Sequence, residues 1–502
     1  MTAFYSNYIL EQQTVKSISV GFIVLVGVVL VKKVFQRKKY KLPPGPLPLP
    51  IVGNLLQIFR VKKRFHEHLL DISKQYGPVI WMKIGGWNTV FLNDINVIRE
   101  ALMKDYDFAG RPKFPSAMRI TKGKDILFGD VSDVWKFHRK LAHSSIRSYA
   151  SGKKLDDLVN RVVQNCCDLM LQEKKPFEMH TFCGLFVFNW LFGIIFGKEK
   201  DVKDPDFVNL KDLTQEALDA FASGSTADIF PVLDYLSFGE NKLDKTINKL
   251  CRVLEREMNE HLETFDENNL RDIMDYMICA QKQVNLEERK ELLSDEHVKM
   301  ICFDMFGAGV DTVLSSLHWY FGLIIQHQNV QEKLHKEIDE KLGSLSPSIE
   351  SRSKLVYTEA SIMEQLRYGT LALLGVPLST IRDTTVGGYD IPKDTMVLIN
   401  IGGLHENNEL WGDAENYRPE RFIADDGTLI EKPRHFMPFG IGKRNCLGEV
   451  LAKNTLGTAI PAFLQRLNFL PPEDGQPFVA KNLGSSLANL CEKYKCRVEE
   501  RH

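Results

Sequence analysis

Along most of residues 130–345 the apolar positions recur at helical spacing, whereas residues 76–100 and 376–400 follow a different pattern. In PVIWMKIGGWNTVFLND apolar and polar residues alternate on both sides of Gly85-Gly86, which predicts a hairpin. In VGGYDIPKDTMVLIN a Gly-Gly turn, a proline and β-branched residues predict short strands. The expectation is a mainly α protein with small β-sheets. No alternating βαβ pattern is visible and no glycine-rich phosphate loop follows a strand, so a nicotinamide or flavin, if one supplies electrons, is expected on another protein.

One predicted helix is unusually long. Ser294 suits an N-cap, Asp295 and Glu296 suit the first turn, and apolar residues dominate from there almost to Gln326. At 1.5 Å per residue this gives about 48 Å. A helix hydrophobic on most sides either spans a membrane or forms the axis of a large core, and Lys299, Asp304 and Asp311 favour the core. Within it lies FGAGVDTV, where Gly307 and Gly309 each cost about 1 kcal/mol relative to alanine. Two readings compete there: close helix packing, or a groove in which a flat ligand approaches the backbone beside Asp311 and Thr312. A carboxylate next to a hydroxyl can relay protons into a dry site.

The N-terminal pattern is of another kind. Ser17 to Val31 is uncharged and apolar, and VKKVFQRKKYK follows directly. The run is short of the ~20 residues that span a bilayer, but Val34 and Phe35 extend it while Lys32 and Lys33 can snorkel. The cations follow the apolar run, the reverse of a cleaved signal peptide, and the positive-inside rule puts the remaining chain on the cytosolic side. The prolines of KLPPGPLPLPIVGN then favour a stiff, extended segment. The chain accordingly divides into a membrane anchor with basic flank (1–40), a proline-rich hinge (41–54) and a catalytic body (55–502).

With 64 basic and 65 acidic side chains in 502 residues, there is no overall basic footprint of the kind nucleic-acid binders carry. Nine scattered cysteines, several in apolar helical pattern, fit a reduced compartment. Cys446 is placed differently, in FMPFGIGKRNCLGE with glycines at 440, 442 and 448 and cations at 443 and 444. It reads as a buried structural thiol, as a nucleophile served by a base such as His435, or as a metal-binding thiolate favoured by the cations and a following helix N-terminus. A single thiolate without further protein ligands suits heme iron, with glycines letting the loop pass close under the macrocycle and Arg444 pairing with a propionate.

Phe439-Gly440-x-Gly442-x-Arg444-x-Cys446-x-Gly448 resembles the heme-binding signature of the cytochrome P450 family. The PPGP hinge, Trp135-x-x-x-Arg139, Ala308-Gly309-x-Asp311-Thr312, Glu364-x-x-Arg367 and Arg418-Pro419-Glu420-Arg421-Phe422 follow in that family's order, so the resemblance covers nearly the whole chain. It implies the cytochrome P450 fold, with the long central helix over the heme and an N-terminal membrane helix. It also implies heme b (iron protoporphyrin IX) with Cys446 as axial thiolate, near Trp135, Arg139, Ala308, Gly309, Phe439, Gly440, Arg444 and Gly448. Asp311 and Thr312 would deliver protons, Glu364, Arg367 and Arg421 would form a structural triad, and Ala308 and Val376 would face substrate. Electrons would come from NADPH through NADPH-cytochrome P450 reductase, docking near Lys136, Lys140, Arg147 and Lys443, with cytochrome b5 as a second donor. The implied location is the endoplasmic reticulum membrane.

Within the family, two animal groups match best. ELLSDEHV and EVLAKN resemble the steroid 17-alpha-hydroxylase/17,20-lyases, which makes steroid hydroxylation the first expectation. SGSTADIFPVLDYL, ENNLRDIMDYM and Asp311 resemble the aryl hydrocarbon hydroxylases, the alternative. A heme-thiolate isomerase or sensor and a heme-free membrane scaffold are further readings. Two departures stand out: the family usually has a proline shortly after the Glu-x-x-Arg arginine, where this chain has Gly369-Thr370, and a histidine where Leu378 follows Pro377.

Overall fold

The computed structural model describes residues 40–501 apart from 61, 151, 201–203, 205–209, 211, 215, 218–224, 237–241, 474–478, 481 and 483–487. The apolar run from Ser17 to Val31 and nearly all of its basic flank therefore lie outside the described residues. Strand Val79–Ile84 pairs antiparallel with Trp87–Leu92, and Ile84 faces Trp87, so Gly85-Gly86 forms the predicted turn. Met396–Ile399 joins Trp87–Leu92 in parallel, and Leu378–Ser379 closes a four-stranded sheet. A separate hairpin pairs Thr384–Val386 with Tyr389–Ile391 around Gly387-Gly388, both at positive φ.

The proline-rich segment differs from a free spacer. The Trp81 N–H donates to the Pro44 carbonyl at 2.9 Å, the Asn54 N–H donates to Lys83 O at 2.7 Å, and the Lys83 N–H donates to Asn54 Oδ1 at 2.7 Å. Prolines cannot donate, but their carbonyls can accept from the edge of a sheet. Residues 41–54 are thus bound along the body.

The long helix runs from Asp295 to Gln326, and Ser294 accepts the His297 N–H in a capping box. It packs against Met179–Phe196, which is buried almost all round, with the Phe188 and Phe306 rings 5.9 Å apart. Among the described residues these are the two helical stretches long and apolar enough to cross a membrane. Of their most apolar windows, 83% and 56% are buried inside the protein, which makes them core axes. Helices Asp133–Ala150 and Val356–Tyr368 pack around this core and carry Trp135-x-x-x-Arg139 and Glu364-x-x-Arg367, and helix Glu449–Arg466 follows the cysteine loop.

Candidate functional site

The central helix is interrupted on one face. Phe306, Val310 and Val313 are buried, yet Ala308 and Thr312, one turn apart, are exposed. The two glycines behave differently. A β-carbon at Gly307 would meet no atom within 4 Å, whereas one at Gly309 would come within 2.9 Å of Leu191. Gly307 therefore borders open space, and Gly309 is a packing residue against helix Met179–Phe196. The Thr312 hydroxyl donates to the Ala308 carbonyl at 2.7 Å, and Asp311 is half-buried beside it.

Cys446 lies three residues before helix Glu449–Arg466, with Gly448 at the N-cap. Its N–H donates to Phe439 O at 2.9 Å, which folds the loop back on itself. The side chain is accessible, yet burial pushes its thiol above the usual value, while the Gly448 N–H opposes that shift. The loop glycines have backbone reasons of their own: Gly442, at φ +80°, would place a β-carbon 2.2 Å from Leu102 O, and Gly440 is at φ +67°. His435, the candidate base, packs edge-on against Trp411 at 4.5 Å.

Residues 125–129 tie the two halves of the site together. Asp304 of the central helix accepts the N–H groups of Ile126 (2.6 Å) and Leu127 (2.9 Å). The Ile126 carbonyl in turn accepts from Arg444 (2.9 Å) and from the Trp135 indole (3.0 Å). Arg444 also donates to Ala109 O and Gly129 O, each at 2.7 Å, and its guanidinium lies 3.9 Å from the Trp135 ring centroid. Arg139 holds the Asn445 carbonyl at 2.6 Å and the Asn445 side chain at 2.9 Å. Burial raises the Asp304 carboxyl well above its usual range, and the Asp125 charge adds to this.

Arg111 was not marked by any motif. It is buried, donates to Leu127 O at 2.7 Å, and reaches Val376 O and Pro377 O at 3.1 and 2.7 Å. Burial comes first in lowering Arg111, Arg139 and Arg444, and the arginines lower one another: Arg139 acts on Arg111, and both act on Arg444. An arginine cluster of this kind calls for anionic groups. Two porphyrin propionates meet that demand, and an accessible thiol followed by a helix N-terminus meets the iron's. The residues present therefore fit an iron porphyrin.

The triad forms as a buried unit. Arg367 donates twice to Glu364 at 2.8 Å, and Arg421 donates to Glu364 at 2.9 Å. The Arg418 backbone N–H adds a fourth bond at 2.9 Å. Val376 is 41% exposed.

Comparison with known proteins agrees with this arrangement. The sequence profile described as Cytochrome P450 matches residues 43–496. Cytochrome P450 1A1 of Platichthys flesus is 35% identical over 446 residues, covering 85% of each chain. Cytochrome P450 1A1 of Chelon auratus is 33% identical, over 91% of this chain and 92% of its own. Cytochrome P450 1A5 of Gallus gallus is 32% identical, over 92% and 90%. On the family profile and these near-full-length relatives, the chain belongs to the cytochrome P450 family.

Proposed function

We propose that this heme-thiolate monooxygenase oxidises flat lipophilic molecules, with planar aromatic hydrocarbons ahead of steroids. Among the reported relatives, the 1A type from fish to chicken is the observation that carries this order. It supports the aryl group of the two resemblances and reverses the steroid-first expectation. The family assignment together with the 1A relatives favours a monooxygenase over the isomerase, sensor and scaffold readings.

When bound, the heme would supply dioxygen activation, with the cysteine thiolate donating electron density to the iron. The chain's own residues do the rest. Cys446 would hold the heme iron through its thiolate, and Arg111, Arg139 and Arg444 would neutralise the porphyrin carboxylates. Asp311 and Thr312 hold and pass protons on the open face of the central helix. Ala308 and Val376 give that space apolar walls, which suits a flat hydrocarbon.

Residues 1–40 anchor the protein in the endoplasmic reticulum membrane, with 41–54 laid along a catalytic body of 55–502. NADPH-cytochrome P450 reductase, with cytochrome b5 as a second donor, docks on the cysteine side. Support comes from Lys136 and Lys443, which flank the Tyr106 ring at 5.1 and 4.9 Å, with Lys140 and Arg147 exposed on the same helix as Lys136.

A spin-state titration tests the substrate order. Planar arenes should shift the heme spectrum at lower concentration than pregnane steroids; the opposite order would restore the steroid reading.

A further inference from the structure

Thr370 stands in the stretch where the family pattern leads one to expect proline, and the structure gives its hydroxyl two partners. Thr370 Oγ1 lies 2.5 Å from the Arg367 carbonyl and 2.7 Å from His405 Nδ1. At the other end of the ring, His405 Nε2 receives the backbone N–H of Met437 at 3.1 Å. Met437 belongs to the cysteine loop, and its carbonyl accepts the Gly440 N–H at 3.0 Å.

These contacts fix the protons. A backbone N–H can only donate, so Nε2 must be the acceptor, and the ring proton of a neutral imidazole then sits on Nδ1. Nδ1–H donates to Thr370 Oγ1, and the threonine hydroxyl donates onward to the Arg367 carbonyl. Arg367 closes the circuit by donating from Nη1 to the His405 carbonyl at 2.7 Å. Thr370 and His405 are 2% and 0% exposed, so water cannot substitute for a missing partner. Burial, with the Arg367 and His435 charges, holds the ring neutral far below its usual value. The Phe436 ring, 5.7 Å away and nearly parallel, covers its face.

We infer that Thr370 and His405 are positioning residues that couple the Glu364–Arg367–Arg421 triad to the Cys446 loop through one directed chain of hydrogen bonds. The chain runs Met437 N–H to His405, His405 to Thr370, and Thr370 to Arg367. A proline at 370 has no hydroxyl, so it could not accept the Nδ1 proton and would leave His405 hydrogen-bonded through Nε2 alone. Losing that anchor loosens the start of the loop, nine residues before its cysteine. The inference rests on the assignment of Cys446 as ligand.

The experiment compares full-length Thr370→Val, Thr370→Ala and Thr370→Ser holoenzymes with the parent. Two quantities are read: the rate of heme transfer to an apo-globin acceptor, and the thiolate-type fraction of the reduced carbon monoxide spectrum. Leaving the Nδ1 proton unpaired should speed heme loss by about tenfold in the valine and alanine variants, and serine should stay within about twofold of the parent. Equal heme loss in serine and alanine overturns the inference, even if valine proves too unstable to isolate. A cycle with His405→Phe adds a second criterion: the effects of Thr370→Ala and His405→Phe must be non-additive, and additive effects contradict the coupling. A parent without a thiolate-type band would instead fail the ligand assignment, a distinguishable result.

Discussion

Thr312 shows how one side chain makes a local opening in a core helix chemically useful. Its hydroxyl hydrogen is spent on the Ala308 carbonyl at 2.7 Å, so its oxygen lone pairs remain to receive a proton from the open side. Thr312→Val keeps the shape and removes this function. We predict that product formed per NADPH oxidised falls on the order of 10²-fold, with substrate-induced spin shifts unchanged; unchanged coupling would remove Thr312 from the proton path. At this scale the readable residues were those whose partners lie close in sequence or in a spaced motif. Arg111 was not readable, because its partners are backbone carbonyls at 127, 376 and 377, and no sequence spacing encodes a carbonyl contact. The two glycines of FGAG look alike in sequence, and only the position of Leu191 separates packing from opening.

Between elements, buried charge is the connecting device. Glu364 faces Arg367 and Arg421 with none of the three more than 4% exposed in its side chain. Glu364→Ala would leave two buried guanidiniums facing each other, so unfolding free energy should drop by about 3–5 kcal/mol, measured by urea denaturation. A loss below about 1 kcal/mol would show that the triad is not a stability element. The Glu-x-x-Arg spacing was legible as a helix pair, but its third arm comes from residue 421 and depended on the resemblance.

A second link joins helices Lys242–Thr264 and Ile273–Leu286. His261 Nδ1 lies 2.7 Å from the Glu257 carbonyl and Nε2 lies 3.0 Å from Asp272, so both ring nitrogens face acceptors and the imidazolium satisfies both. Burial lowers His261, but the bond and charge of Asp272 outweigh it and the folded value is raised. Stabilisation from this pair is therefore complete below the unfolded value of about 6.5 and is lost as pH rises through the higher folded value. The thermal midpoint should fall over that window in the parent and fall less in His261→Phe; parallel profiles would contradict the pairing.

For the whole molecule, the pattern of apolar positions was sufficient for a mainly α body around one long axis, because that axis is apolar on most sides and carries its own N-cap. The proline-rich segment was only half legible. Its stiffness follows from composition, but its docking along the sheet depends on carbonyl acceptors at Pro44 and partners at Asn54. The anchor assignment makes a cellular prediction: full-length protein should sediment with membranes, and a chain lacking residues 1–40 should shift toward the soluble fraction. Equal partitioning would place the membrane contact elsewhere on the body.

The central claim is that the single accessible thiol of the cysteine loop holds the heme, and the reduced carbon monoxide difference spectrum of the purified full-length protein tests it most directly. The account predicts the red-shifted thiolate-type band in the parent and its loss in Cys446→Ser. A parent without that band, or a serine variant that keeps it, would contradict the account.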